Sequence, residues 1–367
     1  MSALALPAAA PITVLVVDDS VFMRTALTRM IESDPGMKVI GTASHGLEAL
    51  ERTASLNPDV VTLDIEMPRL DGLRTLRQMM QQSPRPVIMV SALNKEGAEV
   101  VLEAFDQGAF DCIGKPITSN HLEIVRIRED LVAKVKAAAA AKWLRWRKPA
   151  AVAPVAARPS AETVARGAPP QVIAIGSSTG GPKALQDIIG GLPGDLPAGI
   201  VIVQHMPVGF TGPFARRLDS LSRLTVREAA GDDAVEPGVV LVAPAGRHLT
   251  VVRRSSGRVA VRLYDQAPGG VEARHMPSVD VMMHSIAETF GSQAMGVLLT
   301  GMGSDGANGM KEIYDAGGYT VGQDEATCTV YGMPRAAAQL GALRRVLPLE
   351  EVCGEIAAAC RAEAVAV

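Results

Sequence analysis

Between Ile12 and Val135 the chain repeats one unit five times, a short apolar run followed by a stretch whose apolar residues recur at helical spacing. The runs are "ITVLVV", "KVIGTA", "VVTLD", "VIMVS" and "DCIG". The stretches between and after them include "VFMRTALTRMIES", "GLEALERTA", "GLRTLRQMM", "EVVLEAF" and "LEIVRIREDLVAKV". Few folds accommodate this alternation. Strands this apolar must be covered on both faces, and helices cover them when consecutive strands lie parallel with right-handed crossovers. The predicted architecture is α/β, a doubly wound parallel sheet of five strands. In such sheets the residues that bind or react sit just beyond the carboxyl ends of the strands.

The alternation stops at Lys134 and resumes near Pro170. Between them runs "KVKAAAAAKWLRWRKPAAVAPVAARPSAETVARGAPP", rich in alanine and proline, with eight Lys or Arg against the single acid Glu162. Such a stretch cannot bury a core and reads as a linker, helical at first and proline-extended later. It holds both tryptophans, Trp143 and Trp146. The 367 residues therefore divide into a domain over 10–133, a basic Ala/Pro-rich linker over 134–169 and a second domain over 170–362. A net charge of −3 gives no electrostatic footprint for nucleic acid. No run approaches the ~18 apolar residues of a membrane helix, and "MSALALPAAAP" lacks the basic start of a secretory signal. The expectation is a cytoplasmic protein that is not membrane-embedded and has no nucleic-acid partner. Cys112, Cys328, Cys353 and Cys360 form neither a C-x-x-C pair nor a cluster with histidine, so they read as reduced thiols.

The five strands of the first domain end in chemistry. The first runs into Asp18 and Asp19, the third into Asp64, the fourth into Ser91 and the fifth into Lys115. Three carboxylates converging on one sheet edge repel one another, and a hard divalent cation such as Mg2+ relieves that repulsion. "VVDDS", "LDIEMPRLDG", "VIMVSAL" and "GKP", in this order across residues 12–130, resemble the receiver domains of two-component response regulators. The resemblance implies a flavodoxin-like fold. It implies further that Asp64 accepts a phosphoryl group from a partner histidine kinase. Asp19, Asp64 and the Glu66 carbonyl would hold Mg2+ with help from Asp18, while Ser91 and Lys115 bind the phosphoryl oxygens. Three residues before Lys115, where the family commonly carries an aromatic, this chain has Cys112.

The second domain opens on "QVIAIGSSTGGPKALQDIIGGL", a strand, a turn of small residues and a helix. Gly176 to Gly180 fits G-x-S-x-G, which lifts a serine, here Ser178, clear of the sheet on a sharp turn. The same residues also suit a phosphate-binding turn at a helix start or a plain tight turn, although neither a P-loop nor G-x-G-x-x-G is matched. A nucleophilic serine needs a base, and of six histidines His205 stands best, at the end of "GIVIVQHMP". His248 begins the strand "RHLTVVRR", His284 lies in a helical stretch, and His275 lies in a loop. A third strand breaks into the glycine-rich "LTGMGSDGANGM" and offers Asp305 to orient the base.

The chain order Ser, His, Asp differs from the Ser, acid, His order of α/β-hydrolases. "IGSSTGGP", "VQHMP", "LTGMGSDGA" and "VYGMPRAA", behind a receiver and linker, resemble the chemotaxis protein-glutamate methylesterase family, CheB. The resemblance implies a doubly wound α/β methylesterase domain with Ser178 as nucleophile, His205 as base and Asp305 as orienting acid. It gives Thr179 and the Met302 N–H supporting roles at the oxyanion. No cofactor is expected for the ester chemistry. The implied substrates are methyl-esterified glutamates on cytoplasmic helices of chemoreceptors, with glutamine deamidation as a second activity. The implied regulation is an unphosphorylated receiver that hinders the esterase until Asp64 is phosphorylated. Met276 stands where an arginine commonly precedes Pro-Ser-Val-Asp. Two other classes are a DNA-binding response regulator, which needs a basic recognition helix after the linker, and a nucleotide-dependent oxidoreductase, which needs a ribose-binding acid about twenty residues beyond the glycine turn.

Overall fold

The structure, a computed structural model, describes residues 10–92, 95–115, 121–141, 169–268 and 274–361. Trp143, Trp146 and most of the expected linker lie outside the described residues. The chain forms two compact units.

Over residues 12–140, β1 (Ile12–Val17), β2 (Met37–Ala43), β3 (Val60–Asp64), β4 (Val87–Ser91) and β5 (Asp111–Gly114) alternate with α1 (Val21–Glu32), α2 (Gly46–Leu56), α3 (Gly72–Gln82), α4 (Lys95–Asp106) and α5 (His121–Ala140). The sheet is wholly parallel in the order β2-β1-β3-β4-β5. Val14 to Val17, Val87 to Val90 and most of β3 are fully buried, as strands covered on both faces must be. Leu27 and Ile31, one helical turn apart, form the buried stripe of α1. The sequence starts the linker at Lys134, but α5 continues to Ala140. The reason is packing: Val135 and Ala138 are fully buried. The Lys134 ammonium meanwhile lies 3.4 Å from Asp111 and 3.1 Å from Asp130 and donates to the Cys112 carbonyl at 2.7 Å. Burial pushes the Cys112 thiol up to about 12, so it stays protonated, and Cys112, Cys328, Cys353 and Cys360 are all free thiols.

The second unit runs β6 (Val172–Ser177), α6 (Gly181–Gly191), β7 (Gly199–Gln204), α7 (Thr211–Leu221), β8 (Thr225–Glu228), β9 (Val239–Val242), β10 (His248–Arg253), β11 (Val259–Tyr264), α8 (Val279–Phe290), β12 (Ala294–Leu298), α9 (Ala307–Asp315), β13 (Tyr319–Gln323), α10 (Met333–Gln339), β14 (Arg345–Leu347) and α11 (Leu349–Arg361). Seven strands form a parallel sheet in the order β14-β13-β12-β6-β7-β9-β8. The chain enters at the centre with β6, moves outward through β7, then returns to lay β12 on the other side of β6. β6 and β12 therefore flank the point where the winding reverses, where such sheets open a crevice beyond their strand ends. The stretch "RHLTVVRR" forms a strand outside this sheet, paired antiparallel with β11. Leu249 and Val251 on that hairpin are buried in the same core as Met282, Met283 and Ile286 of α8.

Among the described residues no helix is long and apolar enough to cross a membrane. Phe210, which precedes α7, and Phe214 and Leu218 on it recur four residues apart and are fully buried. Phe214→Ala is expected to lower the stability of the second unit by roughly 3–5 kcal/mol. The measurement is the urea midpoint of that unit, with Val208→Ala, at a residue 60% exposed, as the near-neutral control.

Candidate functional site

Two groups of chemically capable side chains stand beyond strand ends, one in each unit. In the first, Asp18 and Asp19 follow β1 and Asp64 ends β3, and these strands are neighbours. Carboxylate oxygens of the three lie within 4.8 Å of one another, with Asp18 and Asp64 buried and Asp19 exposed. Lys115, beyond β5, places Nζ 2.8 Å from Asp64 Oδ1 and 3.6 Å from Asp18 Oδ2. Burial pushes the Asp64 carboxyl up to about 6; the Lys115 hydrogen bond opposes this and the Asp18 charge adds to it. Burial likewise raises Asp18. Asp18 Oδ2 and Asp64 Oδ2 are buried without a hydrogen-bond partner. Two such oxygens beside a third carboxylate are a donor set that fits a hard divalent cation.

The loop is held from below. Arg24 Nη1 donates to the main-chain carbonyls of Asp18 at 2.7 Å and Asp19 at 2.9 Å, a role the sequence did not reveal. Ser91 is buried at the end of β4 and its Oγ donates to the Ala92 carbonyl at 3.1 Å. Glu66 follows β3 with its side chain exposed.

In the second unit Ser178 follows β6, His205 follows β7, and Asp305 lies in the loop after β12. These are three adjacent strands of the sheet, with β6 in the middle. Hydrogen bonds tie the turn to both neighbours: the Ser178 N–H donates to the Thr300 carbonyl at 3.0 Å, and the His205 N–H to the Ser177 carbonyl at 3.1 Å. Gln204 completes the brace. Its Oε1 accepts from Ser177 Oγ at 2.6 Å, and its Nε2 donates to the carbonyls of Ser178 and His205, both at 2.9 Å. Gly180 has φ +80, and a Cβ there would sit 2.4 Å from Thr329 Oγ1, so the turn requires glycine at this position. Ser178 itself is partly exposed.

His205 Nε2 lies 2.8 Å from Asp305 Oδ2. An ionised carboxylate only accepts, so Nε2 carries a proton, and in the neutral ring Nδ1 holds the lone pair. Nδ1 is buried without a hydrogen-bond partner. Thr179 is buried, with its carbonyl accepting from Thr300 Oγ1 at 2.9 Å. Gly301 passes so close to Ser178 that a Cβ would fall 2.9 Å from the serine Cβ, which brings Met302, the next residue, to the same turn.

The acid is gripped by the amino end of α8. Asp305 Oδ1 accepts from Ser278 Oγ at 2.8 Å and the Asp280 N–H at 3.0 Å, while Oδ2 accepts from the Val279 N–H at 2.8 Å as well as from His205. Burial alone would raise this carboxyl. The His205 contact and the N–H groups of Asp280 and Val279 outweigh burial and hold it at about 2. Ser278 also caps α8, accepting from the Val281 N–H at 3.4 Å, and its own N–H donates to His248 Nδ1 at 3.3 Å. The sequence carried a signal for the cap, a serine just before an apolar helical stretch, but not for its target. His275 stacks on the His205 ring, centroids 4.1 Å apart and planes 20° from parallel.

Residues 173–356 match the family described as CheB methylesterase, and residues 14–125 match the response regulator receiver domain. A protein-glutamate methylesterase/protein-glutamine glutaminase of Symbiobacterium thermophilum is 49% identical over 355 residues, covering 94% of this chain and 96% of that protein. A second protein of that description, from Nitratidesulfovibrio vulgaris, is 44% identical over 364 residues, covering 94% and 98%. The crystal structure of the Thermotoga maritima CheB methylesterase catalytic domain is 40% identical, covers 52% of this chain and 98% of its own, and has a TM-score of 0.49. The chain therefore belongs to the CheB methylesterase family, in the form that carries a response regulator receiver domain ahead of the esterase domain.

Proposed function

We propose that this protein is a phosphorylation-regulated serine hydrolase that removes methyl esters from glutamate side chains of chemoreceptors and deamidates receptor glutamines. Residues 10–133 act as the receiver and 170–362 as the esterase. The observation that carries the reading is the pairing of His205 Nε2 with the Asp305 carboxylate, with Nδ1 left unpartnered and the main chains of Ser178 and His205 tied together through Gln204. A receiver followed by this serine turn favours an esterase over a DNA-binding or nucleotide-dependent protein.

Ser178 Oγ attacks the ester carbonyl while His205 Nδ1 takes its proton, and Asp305 stabilises the imidazolium that results. The N–H groups of Thr179 and Met302 face the charge that develops on the carbonyl oxygen, each worth roughly 3–4 kcal/mol. The proton on His205 goes to the leaving methanol, and water then cleaves the acyl-enzyme with His205 again as base. A glutamine amide offers the same carbonyl and loses ammonia. In the receiver, Asp64 accepts a phosphoryl group from a chemotaxis-type histidine kinase, and Lys115 and Ser91 bind the oxygens it brings. Asp18, Asp19, Asp64 and the Glu66 carbonyl would hold Mg2+, which neutralises the crowded charge when bound.

Ser178→Ala is expected to lower methanol release from methylated receptor at least about a thousandfold, His205→Ala nearly as much, and Asp305→Asn less. An Asp305→Asn rate equal to wild type would reduce Asp305 to a loop anchor. With a small phosphodonor and Mg2+, the wild-type rate is expected to rise about five- to thirtyfold, the effect of roughly one to two kcal/mol on a two-state equilibrium. Asp64→Ala should stay at its basal rate under the same conditions.

Asp305 also sets an acid limb. Its folded carboxyl titrates at about 2, below an unfolded value near ~4, so its contribution to stability is complete above that unfolded value and is lost as pH falls through the folded one. Urea midpoints of wild type and Asp305→Asn are therefore expected to differ at neutral pH and to converge below about pH 4.

A further inference from the structure

Hydrogen bonding holds the His205 ring at Nε2 alone. The torsion that turns a histidine ring is broad, and both ring nitrogens lie off the Cβ–Cγ axis of that rotation, Nδ1 somewhat farther than Nε2. A turn of the ring therefore displaces Nδ1 more than Nε2, and the single contact to Asp305 opposes it only in part. Nδ1, the atom that a swing would displace, has no partner to hold it. The ring of His275, stacked 4.1 Å away and 20° from parallel, constrains the plane as well. This platform is anchored independently of His205. The Met276 carbonyl accepts from the Gly246 N–H at 3.0 Å, and the Ser278 N–H donates to His248 Nδ1 at 3.3 Å. Three residues beyond His275, the same segment begins the hydrogen bonds that grip Asp305.

We propose that His275 is a positioning residue, which sets the ring plane of His205 by stacking and so aims Nδ1 at Ser178. The proposal rests on His205 being the base. It makes the short segment from His275 to Asp280 a single jig that orients both the base and its acid, and it explains a histidine that the reaction itself does not use.

The test compares full-length wild type with His275→Ala, His275→Phe and His275→Asn, each checked for an unchanged urea midpoint. One readout is independent of activity: the NMR order parameter of the His205 ring in protein labelled at histidine Cε1. It is expected near the rigid value of about 0.85 in wild type and His275→Phe, and below about 0.6 in His275→Ala and His275→Asn. The other readout is methanol release. His275→Ala should lose about tenfold in kcat, the scale of one aromatic contact, with KM unchanged, and His275→Phe should recover most of that loss. A rigid His205 ring in His275→Ala overturns the proposal. So does an active His275→Asn beside an impaired His275→Phe, which would assign His275 a polar role. If His205→Ala still releases methanol, the assignment of the base fails instead, and the ring-order measurement continues to report on the stack alone.

Discussion

The second site depends on one interaction, the meeting of the Asp305 carboxylate with the amino end of α8. A buried carboxylate is costly unless its oxygens are satisfied, and here four donors satisfy them: a serine hydroxyl, two main-chain N–H groups and the His205 imidazole. The positive end of a helix adds to the same effect. Because the acid stays ionised, it fixes which nitrogen of His205 holds the proton and which is free to take one. The glycine-rich loop after β12, the helix that precedes that strand and the strand order itself all serve this contact.

The first site solves the opposite problem on the same kind of sheet edge. There the carboxylates face each other, the one buried pair shares a single lysine, and burial raises both Asp18 and Asp64. A site so arranged is short of positive charge and suits the arrival of a cation and an anionic phosphoryl group together. Asp305 is oversupplied with donors and stays an anion, while Asp64 is undersupplied and is poised to change its chemistry. Both follow from the rule that parallel sheets gather their working residues beyond the carboxyl ends of strands. The difference lies in what each loop brings to that edge.

Much of this was legible in the chain. The apolar runs identified all five strands of the first sheet, and each residue named at its strand ends lies where the alternation put it. Ser178, His205 and Asp305 were legible because each ends a buried run in a short polar or glycine-rich break. The residues that hold them were not. Gln204, Arg24 and Ser278 look like ordinary polar residues in the sequence, since the partners that matter here, Ser178, Asp19 and Asp305, lie 26, 5 and 27 positions away. His275 read as a loop residue because stacking leaves no periodic trace. Lys134 to Ala140 read as the helical start of a linker because alanine carries no packing signature, whereas Val135 and Ala138 are buried as part of α5.

Periodicity and punctuation are local, so the sequence by itself determined the alternating elements of the first domain, their parallel winding and which side chains at the strand ends are candidates for chemistry. It could not determine which strands would be neighbours. Only the tertiary structure decided that β6 lies between β7 and β12, that the amino end of α8 points at Asp305, and that His275 lies flat on His205. Those outcomes depend on long-range closure of the sheet, whose energy is shared among many buried residues and written in no single stretch of the chain.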